Sequence, residues 1–234
     1  VMVLDLIAHN NWERPIYFAV TTGDEAYLGL KKYFQLEGLA YRFVPIEASE
    51  GEEAQGGRVN TDVMYDNIMN KFQWGGQDKE GVNMDENCTR MTGNLRMQMG
   101  ILAAALIGEG KKDKARAVLD KCLEKMPEKN IPFDATIFAI CVGYYEIGDI
   151  KKGNELSKML FDIYEGDLRV YGNMPKSRAS AYTRDVAQAK DIMRRLTGMA
   201  QQYKQDALYK EYASRLSVFI SAEETEPRAQ PTIP

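Results

Sequence analysis

Between residues 97 and 160 one spacing of apolar and small side chains occurs twice. The first copy reads Met99, Leu102, Ala103 and Leu106, then Ala115, Leu119 and Pro127. The second reads Ile137, Ile140, Cys141 and Tyr144, then Gly153 and Ser157, without a terminal proline. In each copy a glycine (Gly110, Gly148) separates the two groups. Apolar positions three and four apart lie on one face of a helix, and a glycine after the last of them ends it. Small residues at the third and fifth slots let two antiparallel helices approach closely, while larger side chains fill the groove beside them. Such pairs stack on their neighbours and build binding surfaces more often than they do chemistry.

This spacing resembles the tetratricopeptide template W-x2-L-G-x2-Y…A-x3-F…P. It predicts helix pairs at Asn87–Gly108 with Lys112–Met126 and at Asp134–Glu146 with Lys151–Tyr164. A final pair, roughly Ala179–Tyr203 and Asp206–Ser221, matches the template poorly, as a capping pair would. The tail 223–234 holds three prolines among charged residues and is expected to be disordered. Residues 1–50 read differently. A helix, Met2–His9, stops before Pro15 and leads into the β-rich Ile16–Val20; a helix at Ala26–Leu36 and a second strand at Tyr41–Ile46 follow, a βαβ-like unit. Residues 51–86 form a loop–helix–loop connector, its helix capped by Asn60 or Thr61 and carrying Val63, Met64, Ile68, Met69 and Phe72 on one face. The expected architecture is therefore mainly α: an N-terminal βαβ-like α/β unit (1–50), the connector (51–86), tetratricopeptide-like antiparallel helix pairs with a C-terminal capping pair (87–222), and the tail (223–234).

Charge and apolar runs narrow the function classes. A formal net charge of −4 gives no electrostatic footprint for nucleic acid or anionic lipid. The longest apolar run, Gly100–Gly108, is too short to span a bilayer. Val1–Ile7 is apolar but has no basic flank or cleavage site, unlike a signal peptide, and a chain opening inside a helical pattern reads as a piece of something longer. No cofactor is expected.

Few residues offer chemistry. The single histidine, His9, removes His-based metal sites and the usual triads and dyads, and its place near a helix end suits a structural role. No P-loop is present, and no G-x-G-x-x-G follows a strand. Asp78, Glu80, Asn83, Asp85 and Glu86 could offer oxygens to calcium, but their spacing fails the EF-hand pattern and suits a solvated acidic loop. Asn87-Cys88-Thr89 is a glycosylation triplet of a kind that arises often by chance. Cys88, Cys122 and Cys141 form no CxxC motif; Cys122 and Cys141 read as buried thiols acting as small apolar residues, with a disulfide the alternative. The inner face of the helix pairs (Met97, Gly100, Ala104 and Ile107, then Ala135, Phe138, Val142 and Tyr145) is almost entirely apolar. It reads as core, covered by the N-terminal unit or the final helices, rather than as a peptide groove.

The string N-N-W-E-R-P-I-Y-F-A (Asn10–Ala19), followed by Y-L-G-L-K-K-Y-F-Q-L-E-G-L-A-Y-R-F-V-P-I (Tyr27–Ile46), resembles the C-terminal part of a family of large polytopic membrane proteins of Bacteroidetes, protein-of-unknown-function family 2723. Further matching stretches are Tyr65-Asp66-Asn67, Lys71–Gly75 and Asp85…Arg90-Met91-Thr92…Asn94-Leu95-Arg96, so the resemblance spans about residues 1–165. Members of that family have an N-terminal multi-spanning domain similar to integral-membrane glycosyltransferases that use lipid-linked sugars, and eukaryotic members resemble a protein O-mannosyltransferase. The resemblance implies a soluble domain on the periplasmic face of the inner membrane, with its own N-terminal membrane domain as partner. It implies that the catalytic carboxylates belong to that membrane domain, so no catalytic residue is assigned here. The oxidising compartment it implies raises the chance of a Cys122–Cys141 disulfide.

One cluster of side chains suits a ligand: Trp12, Arg14, Tyr17, Tyr33 and Glu37, with Trp74 nearby. Indole and phenol rings stack on sugars, and carboxylates and guanidinium groups bond hydroxyls. The same residues also suit a buried interface between the two halves. The function expected is a non-catalytic extracytoplasmic domain of a membrane glycosyltransferase that positions acceptor proteins or glycans, mediates protein interaction or stabilises the enzyme. The alternative is a general tetratricopeptide-type scaffold in the cell envelope, unrelated to sugar transfer.

Overall fold

The computed structural model describes residues 2–49 and 57–220. The fold is mainly α, with a small four-stranded sheet at the N-terminal end followed by helices. Two compact units divide between Ile131 and Pro132. The expected disordered tail lies outside the described residues.

The first unit opens with α1 (Met2–His9) and a sheet of β1 (Tyr17–Ala19), β2 (Phe34–Leu36), β3 (Ala40–Phe43) and β4 (Arg58–Val59). The strand order is β1-β3-β2-β4; β3 pairs antiparallel with β1 and β2, and β2 pairs parallel with β4. The two strands read from the sequence are β1 and β3, but the helix expected at Ala26–Leu36 is absent. In its place stand two 3-10 turns, Asp24–Tyr27 and Lys31–Tyr33, and then β2. Leu28 at φ 51° and Gly29 at φ 73° turn the chain out of helical geometry. The alternation Phe34-Gln35-Leu36, buried at both ends, then makes a strand. A tight turn through Gly38, at φ 135°, folds it back onto β3, with Glu37 N–H donating to Ala40 O at 3.1 Å. The βαβ-like reading is thereby corrected to a β2–β3 hairpin flanked by β1, antiparallel to β3, and by β4, parallel to β2.

Register decides which side chains meet. Phe18 lies opposite Tyr41, Leu36 opposite Tyr41, and Phe34 opposite Phe43, so these share one face of the sheet. Phe18, Phe34 and Phe43 join Tyr27 in an aromatic core, with Phe18–Phe34 and Tyr27–Phe34 ring centroids at 4.8 and 5.1 Å. Val3 and Ile7 of α1 pack on this core. Burying each phenylalanine is worth about 1.5–3 kcal/mol, which allows so small a sheet to hold. The opposite face carries Tyr17, Gln35 and Arg42, aligned across β1, β2 and β3.

Next comes α2 (Thr61–Asp66), capped by the Asn60 side chain accepting from Val63 N–H at 3.2 Å and running into a π turn at Asn67–Lys71. The first helix pair, α3 (Glu86–Gly108) and α4 (Lys112–Lys125), completes the unit. Every repeat position named for it up to Leu119 is sealed from solvent. The acidic loop before α3 is tied to basic side chains: Lys125 donates to Asp78 and Lys129 to Glu80, both at 2.9 Å. Among the described residues no group of three or more His, Cys, Asp or Glu side chains is disposed to hold a metal, and no helix is long and apolar enough to cross a membrane.

The second unit begins with a 3-10 turn at Ala135–Ile137 and contains α5 (Phe138–Glu146), α6 (Ile150–Gly172), the short α7 (Lys176–Ala179), α8 (Thr183–Gln202) and α9 (Asp206–Leu216). Here α5/α6 is the second pair and α8/α9 the third. The third pair turns as the first two do. Gly110, Gly148 and Lys204 all adopt positive φ, and the next amide bonds the carbonyl five residues back: Lys111 to Leu106, Asp149 to Tyr144, Gln205 to Ala200. Matching the turns puts Met193, Leu196, Thr197 and Ala200 into the slots of Met99, Leu102, Ala103 and Leu106. The third copy escapes the template because it has threonine in the small slot, alanine in the aromatic slot and lysine in the turn. It is also displaced along the chain, since α6 runs to 23 residues where α4 has 14.

Candidate functional site

The first unit builds a concavity of about 240 Å³ where the chain leaves α1 and passes the end of β3. Its lining includes Asn10, Trp12, Glu13 and Arg14 from one segment and Arg42, Phe43 and Val44 from the other. Asn11 and Trp12 both take left-handed backbone conformations, at φ 48° and 61°. Non-glycine residues adopt these at a cost and hold them only where the surroundings insist. The Asn10 side chain donates to Arg14 O at 2.8 Å, and Glu13 N–H donates to Asn10 O at 3.0 Å, which closes the turn. The Trp12 indole consequently lies flat against Phe43, ring centroids 5.5 Å apart and planes within 12°. It nevertheless remains 55% exposed, whereas Phe43 is buried.

Glu37 lies at the centre of the sheet's polar face and is itself buried. Its carboxylate accepts from Tyr17 O–H at 3.0 Å and from Gln35 Nε2 at 2.8 Å, with Arg42 Nη1 at 3.8 Å. The Asn67 side chain donates to its main-chain oxygen at 2.7 Å. Burial, and then the hydrogen bond to this carboxylate, raise the Tyr17 hydroxyl above its ordinary pKa, so Tyr17 stays a donor. Glu37 therefore anchors Tyr17, while Arg42 at 3.8 Å keeps only a loose ion pair with it.

The six side chains singled out from the sequence divide into three groups. Trp12 and Arg14 line the concavity directly. Tyr17 and Glu37 connect to it through Arg42, while Tyr33 stands behind it with its edge on Phe43 at 6.0 Å and Lys32 over its ring at 5.2 Å. Trp74 takes no part in the lining: Lys121 of α4 lies over its ring at 5.9 Å. Its indole N–H is buried without a partner among the described residues. Sequence reasoning missed Arg42, Phe43 and Glu13. The alternation Tyr41-Arg42-Phe43 in a strand is the signal that places Arg42 on the face opposite its two aromatic neighbours.

The second unit has a groove of about 370 Å³ between α5 and α8, lined by Phe138, Val142, Glu146, Arg195, Met199 and Tyr203 among others. Phe138 and Val142 belong to the apolar inner face read from the sequence, and α8 lies alongside them. The Arg195 guanidinium lies over Phe138 at 4.3 Å, and Tyr145 is buried and stacked on Tyr203 at 4.6 Å. Elsewhere on that inner face, Met97 of the first unit is exposed. All three thiols are free; Cys122 and Cys141 are buried, and desolvation pushes both up to about 12.

Among protein families, the model described as TMEM260-associated domain 2 matches residues 1–63. That span holds α1, all four strands and the start of α2, and it includes both strings Asn10–Ala19 and Tyr27–Ile46. No curated protein and no solved structure matches the chain.

Proposed function

We propose that this chain is a non-catalytic, extracytoplasmic domain of a membrane glycosyltransferase, lying on the periplasmic face of the inner membrane and positioning acceptor proteins or glycans for the membrane domain. The observation that carries this reading is one of coincidence. The TMEM260-associated match falls on the sheet, and the sheet builds the concavity that presents an exposed indole beside guanidinium and carboxylate groups. The resemblance to protein-of-unknown-function family 2723 adds the membrane glycosyltransferase and its lipid-linked donor. The residues lining the concavity supply ring stacking and hydroxyl binding; no nucleophile is paired there with a base, as a catalytic role would require.

The test is glycan transfer to envelope proteins by the full-length protein, with and without residues 1–234, at matched membrane levels. Loss of transfer with the membrane domain still folded supports acceptor handling or stabilisation of the enzyme. A second reading, a tetratricopeptide-type scaffold unrelated to sugar transfer, draws on the α5/α8 groove with its Phe138, Val142 and Met199 lining. Unchanged transfer on deletion would favour it.

A further inference from the structure

Resting on the acceptor-handling reading, we propose that the Trp12 concavity binds one neutral pyranose residue, stacking a C–H face of the sugar on the indole and bonding its hydroxyls through Arg14, Arg42 and Glu13. Three observations carry this. First, the indole is held in the open: Trp12 is 55% exposed although one face of it lies on Phe43, and two successive left-handed residues, Asn11 and Trp12, put it there. A tryptophan that only filled a core would be buried, without the strain of a left-handed conformation at a bulky residue, of order 1–3 kcal/mol.

Second, the polar groups around it are uncommitted. The side chains of Glu13 and Arg14 have no partner among the described residues, and both line the concavity. Arg42 is held only loosely, 3.8 Å from Glu37. A carboxylate that accepts and guanidinium groups that donate can bond adjacent hydroxyls, which are donor and acceptor at once.

Third, charge and size select the ligand. The formal charges of Arg14 and Arg42 are balanced by those of Glu13 and Glu37, so an anionic sugar has no net attraction to gain over a neutral one. A concavity of about 240 Å³ lies below the roughly 300–1,000 Å³ of pockets for drug-sized ligands, which suits one sugar ring. With so much of the site open to water, binding is expected in the millimolar range.

The chain has two tryptophans, so its nitrogen-15 spectrum carries two indole N–H signals. Trp74→Phe, which removes an indole N–H that bonds nothing among the described residues, assigns the Trp12 signal and leaves Trp12 as the sole tryptophan, excited selectively beyond the tyrosine band. The 234-residue chain is titrated with methyl hexopyranosides, the corresponding uronates and inorganic phosphate. The expected result is a saturable shift of the Trp12 signal with at least one neutral pyranoside and none at Trp74. Arg14→Ala should weaken that binding at least about fivefold with the thermal midpoint unchanged, and Trp12→Phe should retain more affinity than Trp12→Ala. No saturable shift with any pyranoside overturns the proposal, as does uronate or phosphate binding tenfold or more tighter than the neutral sugars. Transfer lost on deleting residues 1–234 but no binding here would sink this site alone; binding here with transfer unchanged would sink the acceptor-handling reading alone.

Discussion

Gly153 of α6 lies directly against the ring of Tyr145 of α5: a Cβ at position 153 would come within 3.0 Å of three ring atoms. The ring cannot yield easily. It is stacked on Tyr203 at 4.6 Å, and its hydroxyl donates to Asn154 Oδ1 at 2.6 Å. This is the close helix approach that the second copy of the repeat implies by having glycine in that slot.

Gly153→Ala should therefore destabilise the protein although alanine is the better helix former. Overpacking costs about 1–3 kcal/mol, and the propensity gain returns about 1 kcal/mol. A net loss of up to about 2 kcal/mol is expected in the unfolding free energy measured in urea. A gain in stability would show that the two helices are less closely packed than described.

Lys204 should respond in the opposite direction. It holds an exposed left-handed turn position, φ 56°, that Gly110 and Gly148 hold in the other two pairs. Lys204→Gly relieves a left-handed conformation that costs a side-chain-bearing residue about 1 kcal/mol. A stability gain of up to that size is expected by chemical denaturation, reduced by the greater freedom of glycine in the unfolded chain.

Thiol labelling checks the cysteines. Cys122 and Cys141 are buried and pushed up to about 12, whereas Cys88 is exposed. Only Cys88 should react with a disulfide reagent near pH 8 in the native protein, and all three in denaturant. Its reaction should be slow, because Asp85 beside it raises its thiol as well. A single reactive thiol under denaturing, non-reducing conditions would mean that the other two are bonded.

Acid should act on the second unit through Glu165. This buried carboxylate accepts from Arg169 at 2.7 Å and from Arg215, and the Arg215 hydrogen bond is the chief reason its pKa is lowered. A group depressed in the folded state contributes stability above its unfolded pKa and loses it as pH falls through the folded value. Glu165→Gln should cost about 2 kcal/mol near neutrality. The gap between parent and variant should begin to close below about pH 5, where the unfolded carboxyl starts to take up a proton, and should narrow further as pH falls through the lower folded value. A gap independent of pH would remove Glu165 from the account of acid stability.

How far the sequence could be read follows from where its signals are local. Gly110 and Gly148 mark two helix turns that any period count finds, and Asn60 marks a cap. The Ala26–Leu36 segment misleads because Tyr27, Leu30 and Phe34 have helical spacing, while Phe34 and Leu36 alternate as a strand does. Only the left-handed turn at Leu28 and the long-range pairing of β2 with β3 decide between them. The third helix pair is expected from its apolar spacing but fits the template poorly, because Thr197 takes the small slot, Ala200 the aromatic slot and Lys204 the turn. At the candidate site, Trp12 and Arg14 stand out by residue type. Arg42 joins them only through strand register, and Trp74 stands apart because nothing local says which element it faces.

The most direct test of the account is transfer by the full-length protein carrying Trp12→Ala, measured at limiting and at saturating acceptor with membrane levels matched. The account predicts a loss of about tenfold or more at limiting acceptor that largely recovers at saturation, because the indole holds acceptor and takes no part in the chemistry. Transfer equal to that of the unaltered protein at every acceptor concentration would contradict it.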